Sequence, residues 1–200
     1  MKFCLLLAGL LICASATTGL ASSGPYISAS GGLSSFHDRE VEIPGSDDLT
    51  ISYKSGYGFN AAAGYKLNAF RLEAEFGYKI ADVKALTQRP PVKGNQTIMS
   101  YMINGYYDMN LGIPSLTPFI GGGLGLLNGE LDKTDIGQKE DDNVLGFQVT
   151  VGGSYNIDKN VSFDVYYRFQ GAATPFEMGA AGSKMAYGSS NIFGGVRYNF

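Results

Sequence analysis

The chain has 200 residues, with 15 Lys and Arg against 18 Asp and Glu and a formal charge of −3 at pH 7. That length holds one domain, with or without a short leader, and the slightly acidic balance excludes the basic footprint of a nucleic-acid binder. Its 28 glycines, about twice the usual share of roughly 7 %, stand beside 13 Tyr, 12 Phe and no Trp, a composition suited to close-packed strands and not to helices.

Lys2 followed by the apolar run "FCLLLAGLLICA" predicts a cleaved secretory leader over residues 1–21, too short for a comfortable transmembrane helix. The small residues of "GLA" (Gly19 to Ala21) suit cleavage, as do those of "ASA" (Ala14 to Ala16); the former leaves 22–200 as the exported domain. Both cysteines, Cys4 and Cys13, fall in the leader, so the exported part is expected to carry no thiol, disulfide or cysteine metal site. Ile12 stands where a lipoprotein signal needs a small residue, which argues against lipid on Cys13.

Beyond the leader a period of two recurs, the mark of strands with unlike faces. After a first strand near "YISASGGLS", "ISYKSGYGFNAAAGY" sets Tyr57, Phe59, Ala61 and Tyr65 against Lys54, Gly58, Asn60 and Gly64. "FRLEAEFGYKI" sets Phe70, Leu72, Ala74, Phe76, Tyr78 and Ile80 against Arg71, Glu73, Glu75, Gly77 and Lys79. "MSYMINGYYDM", "PFIGGGLGLL", "LGFQVTVGGSY" and "VSFDVYYRFQ" repeat the pattern, and the chain ends on "NIFGGVRYNF". The count is about eight strands, each near the length a tilted strand needs to cross a membrane. Short connectors at Lys66 to Asn68, Asn110 to Ser115 and Ile157 to Asn160 alternate with long polar stretches at about 35–50, 81–96, 128–143 and 171–190. An up-and-down meander with its long loops at one end follows.

Alternation alone leaves two barrels open, one greasy inside around a ligand and one greasy outside against lipid. The polar set of Gly, Ser, Asn and charges of both signs suits a narrow filled interior, and Tyr65, Phe70, Tyr155 and Phe169 near strand ends suit aromatic girdles. These features predict an all-β, eight-stranded antiparallel transmembrane barrel. With "FRLEAEFGYK", "INGYYDM", "TPFIGGGLGL", "VSFDVYYRFQGA" and the terminal Val196, Tyr198 and Phe200, the exported chain resembles the OmpA-like small barrels of the bacterial surface-antigen and opacity-protein group. The resemblance implies an outer-membrane location with loops outside and termini in the periplasm. It also implies that Val196, Tyr198 and Phe200 form an insertion signal read by the barrel-assembly machinery. With the barrel expected to end at Phe200, the cell-wall tethering of full-length OmpA is not implied.

Arg71, Glu73, Glu75, Asp108, Asp164, Arg168 and Arg197 then face the lumen, with Lys54 and Lys79, and are expected to pair with one another because unpaired buried charge is costly. Glu73 and Glu75 are expected to pair with Arg168 or Arg197. The lumen is expected to be plugged, and the glycines of "GGGLG" to make room for bulky neighbours such as Tyr106. His37, the single histidine, sits beside Asp38, Ser34 and Ser35, and a rim-located lipid-modifying enzyme using it is one competing reading; a small channel is another. "DKTDIGQKEDD" lacks the spacing of an EF-hand, so neither metal nor cofactor is expected. The first and third long stretches are acidic, the second mildly basic. The expected role is that of a non-enzymatic surface antigen, adhesin or envelope-structural protein whose loops meet a host or environmental ligand.

Overall fold

The computed structural model describes residues 23–36, 39–41, 49–51, 55–82, 94–113, 115–133, 138–174, 176–178, 183–185 and 187–200. The leader with Cys4 and Cys13, His37 and Lys54 lie outside the described residues. In chain order the strands are β1 (Gly24–Phe36), β2 (Arg39–Val41), β3 (Leu49–Ile51), β4 (Gly56–Leu67), β5 (Phe70–Asp82), β6 (Gly94–Asp108), β7 (Leu116–Lys133), β8 (Gln138–Asn156), β9 (Val161–Ala172), β10 (Phe176–Met178), β11 (Ser183–Met185) and β12 (Gly188–Asn199).

Eight of them close a barrel in the order β1-β12-β9-β8-β7-β6-β5-β4. Every ladder is antiparallel, and β1 shuts the cylinder by pairing Tyr26 with Asn199 and Phe36 with Ser189. Closure leaves no sheet edge within the barrel wall, which is what allows a β-structure to stand in lipid. The tight turn at Asn68–Ala69 joins β4 to β5, and Asn68 takes the left-handed φ of 56° that such a turn demands of a non-glycine residue best suited to it.

The alternation resolves into an inverted molecule. On β5, Phe70 and Leu72 are 62 % and 60 % exposed while Arg71 and Glu73 between them are each 5 % exposed. The outward set runs around the wall through Tyr57, Phe59, Ile103, Leu124, Val151, Val165 and Ile192. From Tyr57 to Tyr65 on β4 the outer band measures about 20 Å along the barrel axis for strands tilted near 40°, close to the apolar height of a membrane barrel.

The long stretches are more ordered than their composition predicts. The third one is largely a ladder: β7 and β8 stay paired out to Lys133 opposite Gln138, well past Gly146 opposite Ala172, where the β8–β9 ladder ends. The sequence of this extension is mostly charged, since backbone pairing needs no apolar run outside lipid; at its base the Asn128 amide donates to Asn143 Oδ1 at 3.1 Å. The first and fourth stretches hold small ribbons, β2 with β3 and β10 with β11. β10 lies beside β8, and β11 beside β2, so the ribbons neighbour the long hairpin at the same end of the barrel.

Candidate functional site: a filled polar lumen beneath a loop crown

The inward side chains form one connected polar system. Arg168 on β9 grips Glu75 on β5, diametrically opposite in the strand order, through Nη1 to Oε1 at 2.7 Å and Nη2 to Oε2 at 2.9 Å. This two-pronged geometry is the strong form of the arginine–carboxylate pair. Arg168 Nε also donates to Thr150 Oγ1 at 3.1 Å, and Gln148 Nε2 donates to Glu75 Oε1 at 3.1 Å. Glutamines extend the system outward: Gln170 Nε2 donates to Gln148 Oε1 at 3.0 Å, and Lys79 Nζ donates to Gln170 Oε1 at 2.8 Å and Ser189 Oγ at 3.4 Å. Ser34 Oγ donates to Asn191 Oδ1 nearby.

Toward the short-turn end, Arg71 Nε donates to Asp108 Oδ1 at 2.9 Å, and Lys66 Nζ lies 3.3 Å from Asp108 Oδ2 as an ion pair without hydrogen-bond alignment. Arg197 Nη2 meets Asp164 Oδ1 at 3.4 Å and Ser154 Oγ at 3.1 Å. Aromatic rings complete these sites. The Arg71 guanidinium lies 4.7 Å from the ring centres of both Tyr106 and Phe119, and that of Arg168 lies 5.0 Å from Tyr166, within cation–π range.

Glu73 departs from the expected pattern. It meets no arginine; the hydroxyl of Tyr26 donates to it at 3.0 Å, the Asn104 amide at 3.3 Å and the Tyr106 hydroxyl at 3.4 Å. Arg197 likewise pairs with Asp164 on the neighbouring strand and not with either glutamate. Lys79 is held by neutral acceptors. Four inward acids (Glu73, Glu75, Asp108, Asp164) and four buried bases (Arg71, Lys79, Arg168, Arg197) therefore balance in sum, but through networks more than through a simple set of pairs.

A cavity of about 30 Å³ lies among Glu73, Arg71, Asn60, Tyr166 and Arg168, room for about one or two waters. Asn60 Oδ1 and Arg71 Nη2, which line it, find no protein partner. Glycine makes the filling possible: a Cβ at Gly121 would run into the Tyr106 ring, and one at Gly123 into the Asn104 amide. No cluster of metal-ligating side chains occurs among the described residues.

Several members of this system were not legible as such in the sequence. Lys66 stands in a stretch read as a turn, and Tyr187, which donates to Gln170 Oε1 at 3.1 Å, in one read as a loop. Tyr26 opens β1 as an inward ring, and it reaches Glu73 only because Gly64, which stands opposite both on β4, carries no side chain between them. The terminal Val196, Tyr198 and Phe200 lie on the outer face, with the Tyr198 and Phe200 rings edge to face at 5.1 Å.

A closed antiparallel barrel with a greasy outside and a charged, filled inside defines a transmembrane β-barrel of the bacterial outer membrane. The chain belongs to the family described as outer membrane protein beta-barrel domain, whose pattern it matches over residues 4–200. Among solved structures it is similar to the Neisserial surface protein A, with 21 % identity, a TM-score of 0.62 and coverage of 90 % of this chain and 100 % of that one. It is also similar to OprG from Pseudomonas aeruginosa, at 13 % identity and a TM-score of 0.59, over 90 % of this chain and 98 % of that one. Ail of Yersinia pestis, solved with the heparin analogue sucrose octasulfate, matches at 16 % identity and a TM-score of 0.50, over 88 % of this chain and 99 % of that one. A search of curated proteins finds no match.

Proposed function

We propose that this chain is a non-enzymatic outer-membrane barrel that works through its loop crown, as a surface antigen, adhesin or envelope-structural protein, and that it does not conduct solutes. The observation that carries this reading is the Arg168–Glu75 clamp spanning the barrel between opposite strands, with glutamines, aromatics and a cavity of only about 30 Å³ around it. A pore would leave a continuous aqueous path, and a rim enzyme would need a nucleophile and base open to lipid.

Loops outside and termini in the periplasm is the orientation that suits this role, with Val196, Tyr198 and Phe200 serving as the signal for the barrel-assembly machinery. The crown's chemistry favours a cationic partner. Residues 128–143 hold six acids, Glu130, Asp132, Asp135, Glu140, Asp141 and Asp142, against Lys133 and Lys139. A sulfated polyanion of the kind bound to Ail would meet like charge here, which costs association rate and specificity. The test measures binding of a basic peptide and of heparin to the protein in lipid nanodiscs, together with conductance in planar bilayers. Salt-sensitive binding of the basic peptide without conductance supports the reading; steady single-channel conductance overturns it.

A further inference from the structure

The lumen changes character at its outer end. Phe36, Ile98, Met102, Leu127, Val144 and Tyr187 face inward there and pack into one apolar cluster, all 6 % exposed or less. They come from β1, β6, β7, β8 and the approach to β12, so the cluster is rooted in strands around most of the wall. Glycine notches seat it: a Cβ at Gly146 would strike the Leu127 side chain, and one at Gly125 would come within 2.8 Å of Met102 Sδ. Directly beneath lie Lys79, Gln170 and Ser189.

Resting on the closed-lumen reading above, we infer that this cluster is a dry septum separating the loop crown from the charged lumen, and that Phe36 and Tyr187 tie it to the surface ribbons. Apolar side chains filling a cross-section leave water no hydrogen-bonding partner, so ions and polar reagents are turned back before they reach Lys79. Tyr187 is the joint between the two layers. Its ring lies 5.8 Å from that of Phe36, while its hydroxyl meets Gln170 Oε1 at 3.1 Å and Ser189 Oγ at 2.9 Å. Phe36 ends β1 three residues before β2 begins, and Tyr187 follows β11 by two residues; β2 and β11 lie side by side. The septum therefore lets the ribbons engage a partner while the interior stays shut, and a pull that separates Phe36 from Tyr187 is the movement that would breach it.

The experiment uses the leader-free protein, which has no native cysteine, folded into lipid nanodiscs, which leave both ends of the barrel open, with Ser189→Cys as a reporter below the septum and Thr174→Cys as an exposed control at the loop end. A small charged methanethiosulfonate reagent is expected to modify Ser189→Cys at least a hundredfold more slowly than Thr174→Cys. Adding Leu127→Ser or Tyr187→Ala is expected to raise the reporter's rate at least tenfold while the band remains heat-modifiable. Ser34→Cys, also buried below Phe36, gives the same readout if Ser189→Cys fails to fold. Rapid labelling of the reporter in the otherwise unaltered protein overturns the inference, and so does a reporter that stays silent when the septum is cut in folded protein. Conductance of the unaltered protein would instead overturn the closed-lumen reading itself.

Discussion

Glu75 and Arg168 meet across the full width of the barrel, joined by hydrogen bonds of 2.7 and 2.9 Å from strands that stand opposite each other in the ring. Neighbouring strands are already held by their ladders, so a side-chain pair between them adds little to the shape. A pair across the diameter acts differently: it fixes the separation of two walls that share no backbone hydrogen bond. Gln148, Thr150 and Tyr106 take up further hydrogen-bonding capacity of the two ions, which helps to keep so much buried charge tolerable.

Removing one partner should therefore be costly. Arg168→Ala is expected to lower stability by about 3–5 kcal/mol, because it strands the Glu75 carboxylate among groups chosen for a salt bridge. Replacing both ions, with Arg168→Met and Glu75→Leu, should recover much of that loss. Urea titration in lipid vesicles, followed by the mobility of unboiled protein on gels, measures both. Equal destabilisation by the single and the double variant would show that the two residues do not act as a pair.

The outer face gives an opposite test. Val149 is 51 % exposed and lies near the middle of the outward run from Leu145 to Tyr155 on β8. On a water-facing surface Val149→Arg would be nearly neutral. Facing hydrocarbon it should cost about 2–4 kcal/mol, while Leu116→Arg, near the rim, should cost about 1 kcal/mol or less. The same urea titration reads the depth dependence, and equal small effects at both positions would mean that no membrane surrounds this belt.

Much of this architecture was readable in the chain because a period of two is enforced at every residue of a wall that separates two unlike media. "FRLEAEFGYKI" carries its own partition between lipid and lumen, and Arg71, Glu73 and Glu75 are buried as that partition demands. The partner of each charge was not readable, since pairing depends on how strands are staggered around the ring. The stagger brings Glu73 to Tyr26, Asn104 and Tyr106 and leaves Arg168 to Glu75. The β7–β8 extension is a ladder where the sequence suggests a loop for a related reason: beyond the apolar belt one face no longer has to be apolar, so the alternation that marks a strand disappears from "GELDK" and "QKEDDN" while the backbone ladder continues.

Glycines on the inward face set the width available to the lumen residues. Gly123→Val would place its branched carbons against the Asn104 amide, which donates to Glu73. The expected outcome is failure to reach the heat-modifiable state, or a loss of at least 2 kcal/mol if the variant folds, in line with overpacking of a close-packed site. Gly122→Ala on the outer face is the control, because the nearest atom to a Cβ there is the Gln148 carbonyl oxygen at 3.5 Å. It should fold with little change.

Phe200 is 68 % exposed; its ring packs edge to face on Tyr198 and its backbone N–H donates to the Pro25 carbonyl, which leaves most of the side chain on the outer face. Its value as an insertion signal would lie in assembly. Phe200→Ala is expected to slow assembly in cells severalfold while leaving urea stability within about 0.5 kcal/mol, the range of an uncritical surface change. Pulse-labelling of membrane insertion reads the first quantity and vesicle unfolding the second. An unchanged insertion rate would remove the terminal residues from the signal.

The β7–β8 extension offers a way to separate the crown from the barrel. Its ladder beyond Gly129 opposite Asp142 stands clear of the septum residues Leu127 and Val144. Replacing residues 130–141 with Asn-Gly, a pair suited to a tight hairpin, removes Glu130, Asp132, Asp135, Glu140 and Asp141 together with both lysines of the stretch. The barrel should fold with its mobility shift intact, because the clamp, the septum and the β6–β7 ladder up to Ile98 opposite Gly129 lie below the cut, which removes only the last four rungs, Gly94 to Thr97 opposite Lys133 to Glu130. Binding of a basic peptide should fall at least tenfold and lose most of its salt dependence, since that attraction is between exposed charges that salt screens. Undiminished binding would move the partner's site to the ribbons β2–β3 and β10–β11, and loss of folding would mean that the hairpin is part of the barrel's own stability.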